Sequence, residues 1–192
     1  MTSAGGMKHA RISCSDAFRH DLERILCLDI ETTGLDRRSD DILSLAIVDG
    51  TGGVRYHGYF RPQLKSEWPE AQAINHIDLG EVKDSPRIRD EAERISEILW
   101  SSEVLMGYNL ISFDLPFLEE KGIAVPPRPA CDVMLEYTEK HGERDEDRQR
   151  YKWISLAKCA SDLGVTFRPH DPLEDSMATM KCASNLANNG IS

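Results

Sequence analysis

An unbroken apolar run that ends in two carboxylates is the sequence feature that most constrains how this chain folds. Residues 25–28 are all apolar and predict a central strand buried on both faces, and Asp29 and Glu31 follow closely. Because side chains alternate along a strand, these two carboxylates point to the same face and can hold a hard divalent cation between them. Thr32, Thr33 and Gly34 then predict a turn. The alternative is a strand that merely ends in polar residues, which is common.

Another carboxylate lies near the start of a predicted helix. A short apolar strand over residues 104–106 precedes Asp114, and Pro116 fits the first turn of a helix that Gly122 can end. The alternative role of Asp114 is to complement the helix N-terminus, which would stabilise the helix by roughly 0.5–2 kcal/mol.

A third acidic site accompanies a histidine near the end of the chain. Asp171, Pro172 and Glu174 predict a helix start of the capping-box type, with the aspartate as N-cap. Asp175 then falls about one turn inside the helix, while His170 stays on the preceding loop. Both side chains can face one site. The alternative for His170 is a solvated surface residue, which is the usual position of a lone histidine on a loop.

The order of the predicted elements indicates a mixed sheet covered by helices. Three meandering strands come first, and helices and strands alternate after them. The predicted strands cover residues 25–28, 42–48, 54–60, 104–106 and 130–135. The predicted helices begin at residues 85–86, 116 and 155, and the last of them is closed by Gly164.

Taken in this order, the three motifs resemble those of the DnaQ-like, or DEDDh, 3′ to 5′ exonucleases. Asp29 and Glu31 match the first motif, residues 109–114 match the second, and His170 with Asp175 matches the third. The histidine places the resemblance with the DEDDh branch rather than the tyrosine branch, and it covers about residues 25–187. It implies the ribonuclease-H-like fold, an α/β fold with a mixed five-stranded sheet flanked by helices on both faces.

The resemblance also implies a two-metal mechanism. Asp29 would bridge two cations, and Glu31, Asp114 and Asp175 would complete their coordination. Oxygen ligands favour Mg²⁺ or Mn²⁺ over zinc. His170 would act as the general base that takes a proton from the attacking water, an assistance typically worth roughly 10² to 10⁴ in rate.

The resemblance further implies that residues near these carboxylates contact the substrate. The backbone around Thr32 and Thr33 would receive the terminal 3′ hydroxyl, and Leu35 would wedge against the last base. Phe113 would stack on a base, and Asn109 belongs to the same second motif. The alternative for the apolar residues is simple core packing. A further expected contact is His76, although the glycine that relatives carry beside such a histidine is absent here.

Length, charge and cysteine content limit the remaining possibilities. The 192 residues predict one domain, which we place at residues 23–192 after a polar N-terminal lead over residues 1–22. The odd number of widely spaced cysteines predicts reduced, buried thiols. With no apolar stretch of transmembrane length and no signal-peptide pattern, we expect a cytoplasmic protein without a membrane partner.

The net charge of −10 does not exclude a nucleic-acid partner. The four site carboxylates contribute four of the negative charges, and two bound divalent cations would add four positive charges where the scissile phosphate must lie. The expected substrate is the 3′ end of nucleic acid, single-stranded DNA first, in repair, turnover or trimming. One alternative is an RNA-directed enzyme, and another is a non-catalytic nucleic-acid-binding or polymerase-associated module. The sequence leaves the oligomeric state open.

Overall fold

The computed structural model describes residues 9–145 and 150–189, and they contain a five-stranded mixed sheet. The spatial order of its strands is β3, β2, β1, β4, β5. Strands β1 to β3 pair antiparallel, whereas β4 runs parallel to both β1 and β5. Their bounds are Ile25–Thr32 (β1), Ile42–Asp49 (β2), Val54–Tyr59 (β3), Val104–Gly107 (β4) and Ala130–Asp132 (β5). The predicted fold class is confirmed.

Helices cover the sheet on both faces, and the alternation of β1 explains how. Ile25 and Cys27 belong to a cluster with the long helix α8, whereas Leu26 and Leu28 pack into a second cluster with α4 and α5. The helices are Cys14–Ala17 (α1), Pro69–Asn75 (α2), Leu79–Val82 (α3), Ala92–Trp100 (α4), Asp114–Glu120 (α5), Val133–His141 (α6), Leu156–Asp162 (α7) and Pro172–Asn189 (α8). None of the helices in the described ranges is long and apolar enough to cross a membrane.

Several predicted boundaries are wrong, for local reasons. The fifth strand was expected over residues 130–135 but ends at Asp132, whose carboxylate accepts the backbone N–H of Leu135 and starts α6. The helix expected from residue 85 begins only at Ala92, after a 3₁₀ turn over Ile88–Asp90. Helices α2 and α3 were not predicted. A small hairpin pairs Arg144–Asp145 (β6) with Arg150–Tyr151 (β7).

The described part of the N-terminal lead packs onto the domain. The backbone N–H groups of Ile12 and Ala130 donate to Ala130 and Ala10, at 3.0 and 2.9 Å, which extends the sheet at the β5 edge. Cys14 and Ala17 of α1 are fully buried. All five cysteines are free and buried, as predicted. The domain boundary at residue 23 stays a prediction, and residues 1–8 lie outside the described part.

Candidate active site

The carboxyl end of β1 positions the first two acidic side chains. Asp29 and Glu31 are two residues apart on this strand, so they share a face with Ile25 and Cys27, the face covered by α8. Both are partly buried. The strand places two acidic groups under the start of α8, where a helix N-terminus favours negative charge.

The start of α8 supplies the histidine and another carboxylate. Asp171 caps the helix, because its Oδ1 accepts the backbone N–H groups of Leu173 and Glu174 at 3.0 and 3.2 Å. One turn on, Asp175 Oδ2 accepts the backbone N–H of His170 at 3.2 Å. His170 adopts a left-handed conformation, with φ of 67°, and its side chain is exposed. The cap therefore turns the chain so that His170 and Asp175 lie beside each other.

Helix α5 supplies the fourth carboxylate. Asp114 is its first residue, is 2% exposed, and its Oδ1 accepts the backbone N–H of Ile30 at 3.2 Å. This hydrogen bond attaches the start of α5 to the strand segment between Asp29 and Glu31. Asn109, five residues earlier, has φ of 66° in the turn after β4, and its buried side-chain oxygen has no hydrogen-bond partner.

The electrostatics of the cluster follow from burial and from mutual repulsion. Burial raises the pKa of Asp29 well above its usual range, and the charges of Asp114, Asp175 and Glu31 raise it further. Burial and the charge of Asp175 raise the pKa of Glu31 to about 7. Burial also raises the pKa of Asp175 to about 7 and that of Asp114 well above its usual range. Without a counter-charge, the cluster holds protons at neutral pH.

The donor set fits divalent cations. Ligand atoms of Glu31, His170 and Asp175 all lie within 4.8 Å of one another. Asp175 Oδ1 is buried and has no hydrogen-bond partner among the described residues. A buried carboxylate oxygen without a partner is rare in a folded protein and is explained if it binds a cation. The four clustered carboxylates have no cationic partner in residues 9–145 and 150–189, and they form the oxygen-rich ligand set that Mg²⁺ and Mn²⁺ prefer.

A cavity of about 680 Å³ opens beside Glu31. Its lining includes four of the predicted substrate contacts, Thr32, Thr33, Leu35 and Phe113. The volume lies within the range of small-molecule sites. The carboxylate cluster therefore borders a space in which one nucleotide can be held.

Two predicted contacts, His76 and Asn109, do not line this cavity. His76 ends α2 with φ of 60° and is exposed. Its neighbour Asn75 lines the cavity instead: its Nδ2 donates to the backbone oxygen of Thr32 at 3.1 Å, and its Oδ1 accepts the N–H of Ile77 at 3.1 Å. A hydrogen bond from Asn75 also offsets part of the rise in the pKa of Glu31. Asn75 was missed because no local pattern separates it from an ordinary helix-ending asparagine.

The fold and the acidic site together are those of an exonuclease domain with ribonuclease-H-like architecture. The model of the RNase_T exonuclease family matches residues 26–183, and the chain belongs to this family, which places it among the DnaQ-like exonucleases. Comparison with curated proteins gives no significant match.

Solved structures of exonuclease I share the fold. The complex of the Escherichia coli enzyme with a dA16 oligonucleotide is 18% identical, with a TM-score of 0.66, and the match covers 86% of this chain and 40% of that one. A product-bound exonuclease I is 18% identical with a TM-score of 0.68, over 85% of this chain and 43% of that one. A zinc-bound E. coli exonuclease I complex with single-stranded DNA is 18% identical with a TM-score of 0.67, over 86% and 40%. The chain thus spans about two fifths of the length of the structures it matches.

Proposed function

We propose that this domain is a metal-dependent 3′ to 5′ exonuclease that releases nucleoside 5′-monophosphates from single-stranded DNA. The observation that carries the proposal is the cluster of four carboxylates beside the cavity of about 680 Å³, in a chain of the exonuclease family. One oxygen of this cluster, Asp175 Oδ1, is buried without a hydrogen-bond partner among the described residues. The similar structures that are described as bound to oligonucleotides support DNA as the substrate. An RNA-directed enzyme is the second candidate, because the motifs themselves do not distinguish the sugars.

In this proposal the four carboxylates hold two divalent cations, Mg²⁺ or Mn²⁺. Asp29, Glu31, Asp114 and Asp175 would supply their oxygen ligands. When bound, such cations acidify the attacking water and neutralise the charge that develops on the phosphate. Glu31 and Asp175, whose pKa values burial raises to about 7, would hold such cations in their deprotonated form.

His170 is the general base. Its exposed imidazole lies next to Asp175 and Glu31, so it can reach a water on the solvent side of the cluster and take its proton on a ring nitrogen. The hydrogen bond from its own backbone to Asp175 fixes the loop that carries the ring. Loss of the imidazole is expected to slow turnover by roughly 10² to 10⁴.

The remaining side chains hold the terminal nucleotide. The backbone at Thr32 and Thr33 receives the 3′ hydroxyl, while Leu35 and Phe113 bracket the base without reading its identity. His76 and Asn109 stay proposed contacts that lie outside the cavity lining.

The test follows 5′-labelled single-stranded DNA and RNA oligonucleotides with Mg²⁺, Mn²⁺ or EDTA. A ladder that shortens from the 3′ end only with metal, and is absent in Asp29→Ala, is the expected result, and the faster substrate decides between DNA and RNA. No shortening of either strand with any metal would contradict the enzyme and favour the binding-module alternative.

The matched control for the histidine is His20, an exposed residue paired with Glu103 at 3.1 Å. His170→Ala is expected to lose activity by at least a hundredfold, while His20→Ala keeps it within about twofold. Equal activity of the two variants would exclude His170 as the base.

A further inference from the structure

Among the residues that the structure describes, a second group of side chains has the atoms to ligate a metal ion, and it shares no member with the carboxylate cluster. It consists of Cys14 on α1, Cys131 on β5 and Glu136 on α6. One ligand atom of each side chain lies within 4.8 Å of the other two. Cys14 and Cys131 are fully buried, and Glu136 is 8% exposed. The proposed exonuclease mechanism uses none of the three.

The two sulfur atoms have nearly the separation that a shared cation requires. Cys14 Sγ and Cys131 Sγ lie 3.5 Å apart. Zinc binds thiolate sulfur at about 2.3 Å, and a tetrahedral angle between two such bonds places the sulfurs about 3.8 Å apart. The pair therefore needs only a small adjustment to bind one ion. Because 117 residues separate the two cysteines, no spacing in the sequence indicated this pair.

Glu136 is fixed beside the two thiols and keeps acceptor sites for a cation. Its Oε2 accepts the backbone N–H of Cys14 at 2.6 Å, and its Oε1 accepts Lys140 Nζ at 2.7 Å. A carboxylate has about four lone-pair sites, so about two remain. Two thiolates and one carboxylate carry three negative charges, which a divalent cation and the Lys140 ammonium balance. Buried charges are tolerated when they are paired or coordinate a metal in this way.

We propose that Cys14, Cys131 and Glu136 bind one zinc ion that fastens α1 to β5 and α6. The inference does not depend on the proposed exonuclease function. Thiolate ligands select zinc, whereas Mg²⁺ and Mn²⁺ prefer oxygen, so this site and the carboxylate cluster take different ions. Two sulfurs and the two oxygens of Glu136 supply four ligand atoms, the number that tetrahedral zinc takes. Binding releases the two thiol protons and involves no oxidation of sulfur.

The chain contains a matched pair of thiols for the control. Cys159 on α7 and Cys182 on α8 are buried neighbours in the same core cluster. They belong to no group of three metal-ligand side chains within the described ranges. The double variant C159A/C182A therefore removes as many thiols as C14A/C131A and leaves the proposed site intact.

Cadmium tests the site, because a cadmium–thiolate bond gives an ultraviolet charge-transfer band and a cadmium–carboxylate bond does not. Since the ligand atoms are buried, the full chain is refolded with one equivalent of Cd²⁺ and excess Mg²⁺, which competes for the carboxylate cluster. We expect one cadmium per chain and a full band in wild type and in C159A/C182A, and no band in C14A/C131A. Glu136→Gln should bind cadmium at least about tenfold more weakly, since even outer-shell partners are worth that much.

X-ray absorption of the wild type, loaded with zinc during expression and dialysed against excess Mg²⁺, keeps the test independent of whether C14A/C131A folds. Two sulfur neighbours at about 2.3 Å are expected, with oxygen completing the shell. A shell of oxygen and nitrogen alone would overturn the site, as would a full cadmium band in C14A/C131A or an equal loss in both double variants. So would a wild-type mass lower by two hydrogens, because a Cys14–Cys131 disulfide would then hold the pair in place of zinc. None of these results depends on exonuclease activity.

Discussion

Two neighbouring strands of this sheet carry carboxylates in their carboxyl-terminal halves, Asp29 in β1 and Asp49 in β2, and the surroundings of the two side chains are opposite. At the end of β2, Asp49 Oδ1 accepts the backbone N–H groups of Thr51 and Gly53 at 2.9 Å and the Thr51 hydroxyl at 2.5 Å. In β1, Asp29 lies near other carboxylates, and Asp175 Oδ1 has no hydrogen-bond partner among the residues that the structure describes. Burial raises the pKa of both aspartates, but at Asp49 these hydrogen bonds outweigh it and the pKa is lowered.

The two surroundings distinguish a structural carboxylate from a candidate metal ligand. Asp49 is satisfied by its own turn, in which Gly52 takes φ of 87°, so its charge closes the hairpin between β2 and β3. The carboxylates around Asp29 repel one another and need a counter-charge that the described residues do not provide. The alternative considered for β1 was a strand that simply ends in a polar residue, and β2 is a strand of that kind.

Substitution of Asp29 and substitution of Asp49 should differ most in their effect on the rate of 3′ shortening. Asp29→Asn keeps the shape but removes a metal-ligand charge, and we expect the rate of 3′ shortening to fall by at least about 10⁴, since the bound metals supply most of the catalysis. Asp49→Asn should leave the rate within a fewfold. The measurement is the initial rate on the 5′-labelled strand. Comparable losses in the two variants would remove the distinction.

The free energy of unfolding should show the opposite order, with the larger loss on substitution of Asp49. Asp49→Ala leaves two backbone N–H groups and a hydroxyl without their acceptor, and we expect the free energy of unfolding to fall by about 3 kcal/mol. Asp29→Asn relieves repulsion in the metal-free protein and should be neutral or stabilising. Urea unfolding in EDTA measures both values. A metal-free Asp29→Asn protein that is less stable than Asp49→Ala would contradict the assignment of repulsion to β1.

Local sequence patterns predicted the strand and the helix start that carry the candidate site residues better than they predicted the ends of other elements. The apolar run before Asp29 and the helix start at Asp171 are local patterns, and the structure forms both. β5 ends at Asp132 because this residue caps α6 through the N–H of Leu135, and the same side chain is held in place by the N–H groups of Asn109 and Ile111, which are distant in sequence. A local pattern contains no record of such partners.

The same limit explains the missed asparagine. Asn75 enters the cavity because His76 takes a left-handed conformation, which turns the chain at the end of α2. Left-handed backbone is common for glycine and uncommon for histidine, so the sequence did not predict the turn that directs Asn75 to the cavity. The cavity beside Glu31 likewise depends on packing between the loop after β1 and α2, which no single segment specifies.

Metal addition should stabilise the folded protein, and this stabilisation should depend on Asp29 but not on Asp49. A ligand that binds only the folded state at a hundredfold excess over its Kd raises the free energy of unfolding by about 2.7 kcal/mol. We expect Mn²⁺ to do so in wild type and in Asp49→Asn, and to lose the effect in Asp29→Asn. Thermal unfolding with and without EDTA measures it. Equal stabilisation of all three proteins would locate the metal elsewhere.

The smallest expected effect is the pH dependence of stability in EDTA, and its sign differs between the two strand ends. The raised pKa values of Glu31 and Asp175, both about 7 when folded, mean that the folded state binds more protons than the unfolded state between about pH 4.5 and 7. Their favourable contribution is complete at low pH and is lost as pH rises toward 7. One extra bound proton over 1.5 pH units corresponds to about 2 kcal/mol. Asp49, with its lowered pKa, contributes stability that is lost only as pH falls below its unfolded value.

Asp175→Asn should therefore flatten the decline between about pH 5.5 and 7, whereas Asp49→Asn should leave that decline intact and change only the acid limb. Saturating Mn²⁺ should reverse the wild-type slope, because the metal binds the deprotonated carboxylates and its affinity rises with pH. Urea unfolding at several pH values, with EDTA or Mn²⁺, gives all four curves. If the wild-type decline in EDTA persists unchanged in Asp175→Asn, the protons are held outside the β1 cluster, and the cluster cannot be the repulsive group on which the comparison of the two strand ends depends.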